Sequence, residues 1–155
     1  MFDFSWEQNA LEQFKEVLVV QPTDLVDKQF NYVANLTNEY IADSQEDTAP
    51  LRECMRFYTE HIFGVHHDDY DYSQVNLLGW RKLKIYLKKV VTLPQSLTKE
   101  DYEQLGVRED REGKVVKTYN FTPEEKCHVN LLAIESKKRC ALTYLAKAIS
   151  DYKNL

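Results

Sequence analysis

No stretch of this sequence approaches the ~18 to 20 consecutive apolar residues that a membrane span requires. The opening MFDFSWEQNALEQ carries acids where an export signal carries basic residues. A soluble, non-exported chain with no membrane partner is expected. Glycine and proline are scarce, four of each in 155 residues. Turns are therefore few, and no Gly-rich phosphate loop, nucleophile elbow or HExxH pair is found. The three cysteines, Cys54, Cys127 and Cys140, form an odd set without CxxC spacing. Each falls in a helical pattern, so buried free thiols in a reducing, cytoplasmic setting are expected, with no disulfide and no zinc. Neither a metal nor a cofactor is assigned, and enzymatic activity is not expected.

What is present is globular. The composition is 43% hydrophobic and 29% charged, and a chain of this length buries enough surface to fold as one domain, residues 1–155. The net charge of −5 hides an asymmetry: residues 1–50 hold two Lys against ten Asp or Glu, whereas residues 51–155 hold 18 basic and 15 acidic residues. The acidic end repels nucleic acid, while part of the rest could attract it.

Helical spacing dominates. Ser5 with Gln8 forms a capping box before Trp6, Ala10, Leu11, Phe14, Val17 and Leu18, a stripe that Gln21-Pro22 should end. A second helix, capped by Thr23 or Asp24, carries Val26, Phe30, Val33, Leu36, Tyr40 and Ile41 on one face. Pro50 suits the first turn of a third, with Leu51, Cys54, Met55, Tyr58 and Ile62 aligned and Gly64 as its stop. A fourth should run from Ser73 to about Val91 with Trp80, Leu83, Leu87, Val90 and Val91 inward, ended by Leu93-Pro94. Thr98 and Asp101 cap a short helix that Gly106 stops. The alternating VREDREGKVVKTYNF reads as a hairpin around Glu112-Gly113. Thr122-Pro123-Glu124-Glu125 then starts a long helix to about Tyr152. Its Leu131, Ile134, Ala141, Leu145, Ala148 and Tyr152 keep heptad-like spacing, interrupted only by Lys138. The fold class is mainly α: a single bundle of about five helices with a small hairpin before the last. Strand–helix alternation is absent, which excludes a doubly wound sheet.

The densest chemistry lies in RFYTEHIFGVHHDDYDY, residues 56–72, with three of the four histidines and four carboxylates. Its Arg56-x4-His61 spacing resembles the motif of HEPN-type ribonucleases, small all-α proteins acting on RNA as dimers. That resemblance implies His61 as general acid or base and Arg56 on the phosphate. The competing reading packs His61 near the buried face beside Cys54 and Tyr58 and turns Arg56 to water. Imidazoles and carboxylates also suit a cation, but neighbouring loop residues point apart. The acids of DDYDY favour a following helix N-terminus. Alternation with tyrosines adds flat amphipathic contact area, so Asp68, Asp69, Tyr70, Asp71 and Tyr72 are assigned as a partner-binding surface.

Two further stretches carry charge. Between Ser73 and Lys99 lie six basic residues and no acid. Arg81, Lys82, Lys84, Lys88 and Lys89 share one helix face, with Leu78 and Ile85 interrupting it, and offer an alternative nucleic-acid-binding surface or an internal partner for the acidic N-terminal helices. In the last helix, Glu135 stands four residues before Arg139 as an intrahelical pair. Lys138 on the apolar stripe either snorkels at the core edge or marks an interface, which would include self-association as a homo-oligomer. LTKEDYEQLGV resembles the LTxEDLxxLGI segment of SAM interaction domains, a likeness rooted in shared capping. The leading expectation is a protein-interaction module, an adaptor, assembly factor or inhibitor, that binds another protein or complex through the acidic-aromatic surface.

Overall fold

The computed structural model describes residues 4–17, 20–36, 47–76, 81–110 and 112–153. Leu18, Tyr40, Ile41, Leu78 and Trp80, assigned above to helix faces, lie outside them. Six α-helices and one hairpin follow in order: α1 (Leu11–Val17), α2 (Val20–Asn35), α3 (Ala49–Ile62), α4 (Arg81–Thr92), α5 (Lys99–Glu103), β1 (Val107–Glu109), β2 (Val115–Thr118) and α6 (Pro123–Lys153). A π-helical turn, Trp6–Ala10, leads into α1, and 3₁₀ turns occupy Tyr72–Asn76 and Pro94–Ser96. None of the described helices is long and apolar enough to cross a membrane.

The starts and stops follow local chemistry. Ser5 Oγ accepts from the Gln8 N–H, but its own N–H donates to the Asn9 side chain rather than to Gln8. Pro22 does not end a helix; it stands in the first turn of α2, where a missing N–H costs nothing. Thr98 and Asp101 form the reciprocal box expected of α5. Thr122 and Glu125 do the same for α6: the Thr122 N–H donates to the Glu125 carboxylate (2.6 Å) and the Glu125 N–H to Thr122 Oγ1 (3.2 Å). Gly64 closes α3 at φ +80°.

α6 is the spine. Its 31 residues run ~46 Å at 1.5 Å per residue, and two separate cores form along it. The larger gathers Cys54 and Met55 of α3, Leu83, Leu87, Val90 and Val91 of α4, Leu105, Tyr119, and Val129, Leu132 and Ala133 of α6. The smaller joins Trp6, Ala10 and Phe14 to Phe30 and Ala146. There Trp6 meets Phe30 edge-on at 5.1 Å and donates its indole N–H to Asp27 (3.0 Å). The hairpin is antiparallel, pairs Val107 with Thr118, and carries an irregularity between Arg108 and Glu109. It lies against α4, and Gly106 packs so closely that a Cβ there would stand 1.9 Å from the Tyr119 carbonyl oxygen.

Further expectations are corrected. Ser73 lies in a 3₁₀ turn, Tyr72–Asn76, and α4 is Arg81–Thr92, while Thr23 and Asp24 lie inside α2 and do not cap it. The heptad-spaced stripe of α6 faces outward: Ile134 is 51% exposed, Leu145 50% and Tyr152 79%. The buried register is instead Val129, Leu132, Ala133, Ser136, Arg139, Cys140, Thr143 and Ala146. These are mostly small side chains, which let neighbouring helices approach closely and leave the larger apolar residues outside. Cys127 is exposed, one turn into α6, while Cys54 and Cys140 are buried as expected.

Candidate functional site

The site begins with the last turns of α3. This helix is buried on two sides, so Phe57, Thr59 and Glu60 are enclosed along with Cys54 and Met55. After Gly64 the chain turns back, and the Val65 N–H returns to the Glu60 carbonyl (3.1 Å). Residues 66–72 therefore lie over the end of the helix they leave.

Side chains knit this loop from within. Tyr70 stacks on Phe57, with centroids 4.1 Å apart, and its hydroxyl lies 3.1 Å from Cys54 Sγ. Burial first, then that hydrogen bond, pushes the Tyr70 phenol well above the usual tyrosine range. The Tyr72 hydroxyl accepts the His67 N–H (3.0 Å), and its ring stacks on His66 at 4.3 Å. Burial raises its pKa as well. Asp71 accepts from the Ser73 N–H (2.9 Å) and hydroxyl (2.7 Å), and these bonds hold its carboxyl below the usual range. Asp68 and Asp69 occupy the turn and are exposed.

Beneath the loop sits a buried charge relay. Glu60 is 1% exposed, and its Oε2 lies 2.5 Å from His67 Nε2. Its other oxygen is 3.9 Å from Arg139 Nε. The Arg139 guanidinium pairs with Glu7 from the N-terminal π turn, and desolvation lowers its pKa to about 10. Burial, with Glu60 adding to it, pushes the neighbouring Cys140 thiol up to about 12, so it stays protonated. Glu135, expected to pair with Arg139, instead meets Lys138 at 2.5 Å. The acidic N-terminus thus reaches the loop through one buried arginine.

A cleft of about 480 Å³ opens between the two, lined by Phe4, Ser5, Glu7, Gln8, Arg56, Phe57, His66, His67, Asp68 and Asp69. A second, more open hollow of about 420 Å³ lies between α2 and the start of α3, with Arg56 between the two. Glu60, Glu7 and Arg139 were missed by sequence reasoning. The only available signal was the small-residue register of α6, which places Arg139 inward.

The assigned residues sort as follows. Asp68, Asp69, Tyr70, Asp71 and Tyr72 do share one surface, but the two phenols are anchors turned toward the protein. Arg56 and His61 do not converge: five residues apart, they project ~140° from each other around α3. Their environments reverse the packing expected for them. Arg56 is half-buried at the cleft, and His61 is exposed against His66 and Tyr72. No three or more His, Cys, Asp or Glu side chains gather as a cation's ligand set among the described residues. On α4, Lys82 donates to Gln104 (2.6 Å) and Lys89 to Asp101 (2.7 and 2.8 Å). Two of the five assigned cations are thus held by α5 and its C-terminal turn, while Arg81 and Lys88 remain exposed.

Comparison with known proteins gives a consistent result. A family model described as PA26 p53-induced protein (sestrin) matches residues 1–153. A sestrin homolog of Dictyostelium discoideum is 31% identical over 153 residues, 98% of this chain and 23% of that protein. Sestrin-2 of Mus musculus and of Homo sapiens are each 34% identical over 151 residues, 97% of this chain and 29% of theirs. The chain therefore spans about a quarter of the length of these curated relatives.

Proposed function

Because the chain belongs to the sestrin family, we propose that it is a regulatory protein-interaction domain that presents the loop Asp68 to Tyr72 to a basic surface of a protein partner. The observation that carries this reading is the division of labour within the loop. Tyr70 and Tyr72 are pinned inward by hydrogen bonds to Cys54 and His67, which leaves Asp68 and Asp69 displayed on a preformed turn. A rigid pair of exposed carboxylates above a cleft offers charge complementarity at little ordering cost. The setting is cytoplasmic and reducing, in keeping with three free cysteines. Contact runs through Asp68, Asp69 and the half-exposed edges of the two rings; Asp71 shapes the turn through Ser73.

The test is affinity capture from host lysate after nuclease treatment, comparing the native chain with Asp68→Lys/Asp69→Lys. Both side chains are exposed, so the variant should keep its fold and melting temperature. Loss of a stoichiometric protein from the capture is the expected result. Capture that ignores both substitutions would overturn the assignment, and capture that depends on nucleic acid would move it to Arg81, Lys84 and Lys88 on α4.

A further inference from the structure

We propose that the cleft between the N-terminal π turn and the 66–69 loop receives an arginine side chain of the protein partner. The proposal rests on the reading of Asp68 and Asp69 as the contact surface, and it moves the anchor of that contact from the loop into the hollow beside it. Carboxylates stand on both walls: Asp68 and Asp69 on the loop, Glu7 on the facing turn. Glu7 is held by the buried Arg139 and still leaves 53% of its side chain exposed. One guanidinium, Arg56, also lines the cleft, so three carboxylates stand against one fixed cation. Beneath them Glu60 and Arg139 offset each other. The hollow is therefore negative overall, and a cationic side chain complements it.

Three observations choose arginine as the occupant. First, the cleft measures about 480 Å³, within the ~300 to 1,000 Å³ of sites that enclose a ligand. It has room for a long side chain to enter. Second, the carboxylates are spread around the hollow and do not gather as a metal ion's ligand set among the described residues. A planar guanidinium, with donors in a fixed fork, reaches carboxylates on more than one side, which a compact ammonium does less well. Third, Phe4, Phe57 and His66 bring aromatic rings to the same walls. Phe57 already carries a guanidinium, with the Arg56 Cζ 4.4 Å from its ring centroid. Stacking of a flat cation on aromatic rings separates arginine from lysine. The walls are also set in advance, since His66 is held by its stack on Tyr72 and Glu7 by Arg139.

Acetylated and amidated tripeptides of arginine, lysine and citrulline, titrated into the native chain and followed by the amide resonances of Gln8, His67 and Asp69, read the ligand class. Triarginine should shift these resonances to saturation, trilysine should bind at least about threefold more weakly, and the neutral citrulline peptide should leave them in place. Gln8 is exposed on the rim of the cleft, so its side chain can be exchanged without disturbing the fold. Gln8→Arg supplies a tethered cation to the hollow and should weaken triarginine at least about tenfold. Gln8→Met should bind as the native chain does, and both variants should keep its melting temperature. Equal binding of all three peptides, or indifference to Gln8→Arg, would overturn the proposal. Trilysine matching triarginine would sink the choice of a guanidinium. Lysate capture then separates this proposal from the reading beneath it. A partner lost with Gln8→Arg and kept with Gln8→Met supports the cleft as the anchor. A partner lost with Asp68→Lys/Asp69→Lys but kept with Gln8→Arg leaves the loop surface in place and overturns the cleft. A partner kept by both overturns the two together.

Discussion

Burying the carboxylate of Glu60 beside His67 and Arg139 makes this one residue the meeting point of the loop, the last helix and the N-terminal turn. Removing Glu60 takes from His67 its buried partner, while Arg139 loses the nearby carboxylate and keeps only Glu7. Glu60→Ala should therefore lower stability by about 3 kcal/mol in chemical denaturation, and Glu60→Gln, which keeps a hydrogen-bond acceptor, by clearly less. Equal losses for the two would show that packing, not charge, is what Glu60 supplies. Little of this was legible in the sequence. Glu60 stands between a threonine and a histidine at the end of an amphipathic pattern, and nothing in that pattern marks α3 as enclosed on a second side. Arg56 and His61 misled for the same reason: a spacing along the chain does not say which neighbour covers which face.

The elements themselves were far more legible, because their signals are local. The capping box of α5, the start of α6, Gly64 and the hairpin turn depend on residues within four positions of one another, and each stands where the pattern put it. Position along the chain also separates two glycines that look alike in sequence. Gly113 has φ +82° and open space around it, so Gly113→Ala should cost about 1 kcal/mol from the left-handed backbone alone. Gly106→Ala instead drives a methyl group into the Tyr119 carbonyl and should cost about 2 kcal/mol or more, measured in the same denaturation series. The α5 box adds a pH dependence. Bonds from Lys89 and then from Thr98 hold the Asp101 carboxyl at about 2, below its ordinary 3.8. Because the folded value is the lower one, the unfolded chain binds the proton first. The stabilisation is complete above about 4 and is lost as pH falls toward 2. Asp101→Asn should flatten that limb of an acid-unfolding curve, leaving the profile above pH 5 unchanged in shape.

At the scale of the whole molecule, what the sequence concealed is which side of α6 is inside. Leu131, Ile134, Leu145 and Tyr152 follow a heptad pattern and lie outside, while the buried register, beyond Val129, Leu132 and Arg139, is built from alanine, serine, cysteine and threonine that periodicity alone discounts. Close helix approach favours small residues, so the hydrophobic pattern pointed to the wrong face. The two cores strung along this helix also differ in size, and the smaller depends on Trp6. Trp6→Ala removes the ring that meets Phe14 and Phe30 and leaves the Asp27 carboxylate without its indole donor. Hydrogen exchange should then quicken in α1, α2 and the C-terminal half of α6, while α3 and α4 keep their protection. Uniform loss across the chain would mean that the two cores unfold as one.

The phenols that clip the 66–72 loop to α3 bear on time as well as on shape. A surface assembled before its partner arrives has no rearrangement to wait for. Encounter should then follow a single exponential whose rate rises in proportion to partner concentration and slows as salt screens Asp68 and Asp69. Differences in affinity among variants of the partner should accordingly appear in how long the complex lasts.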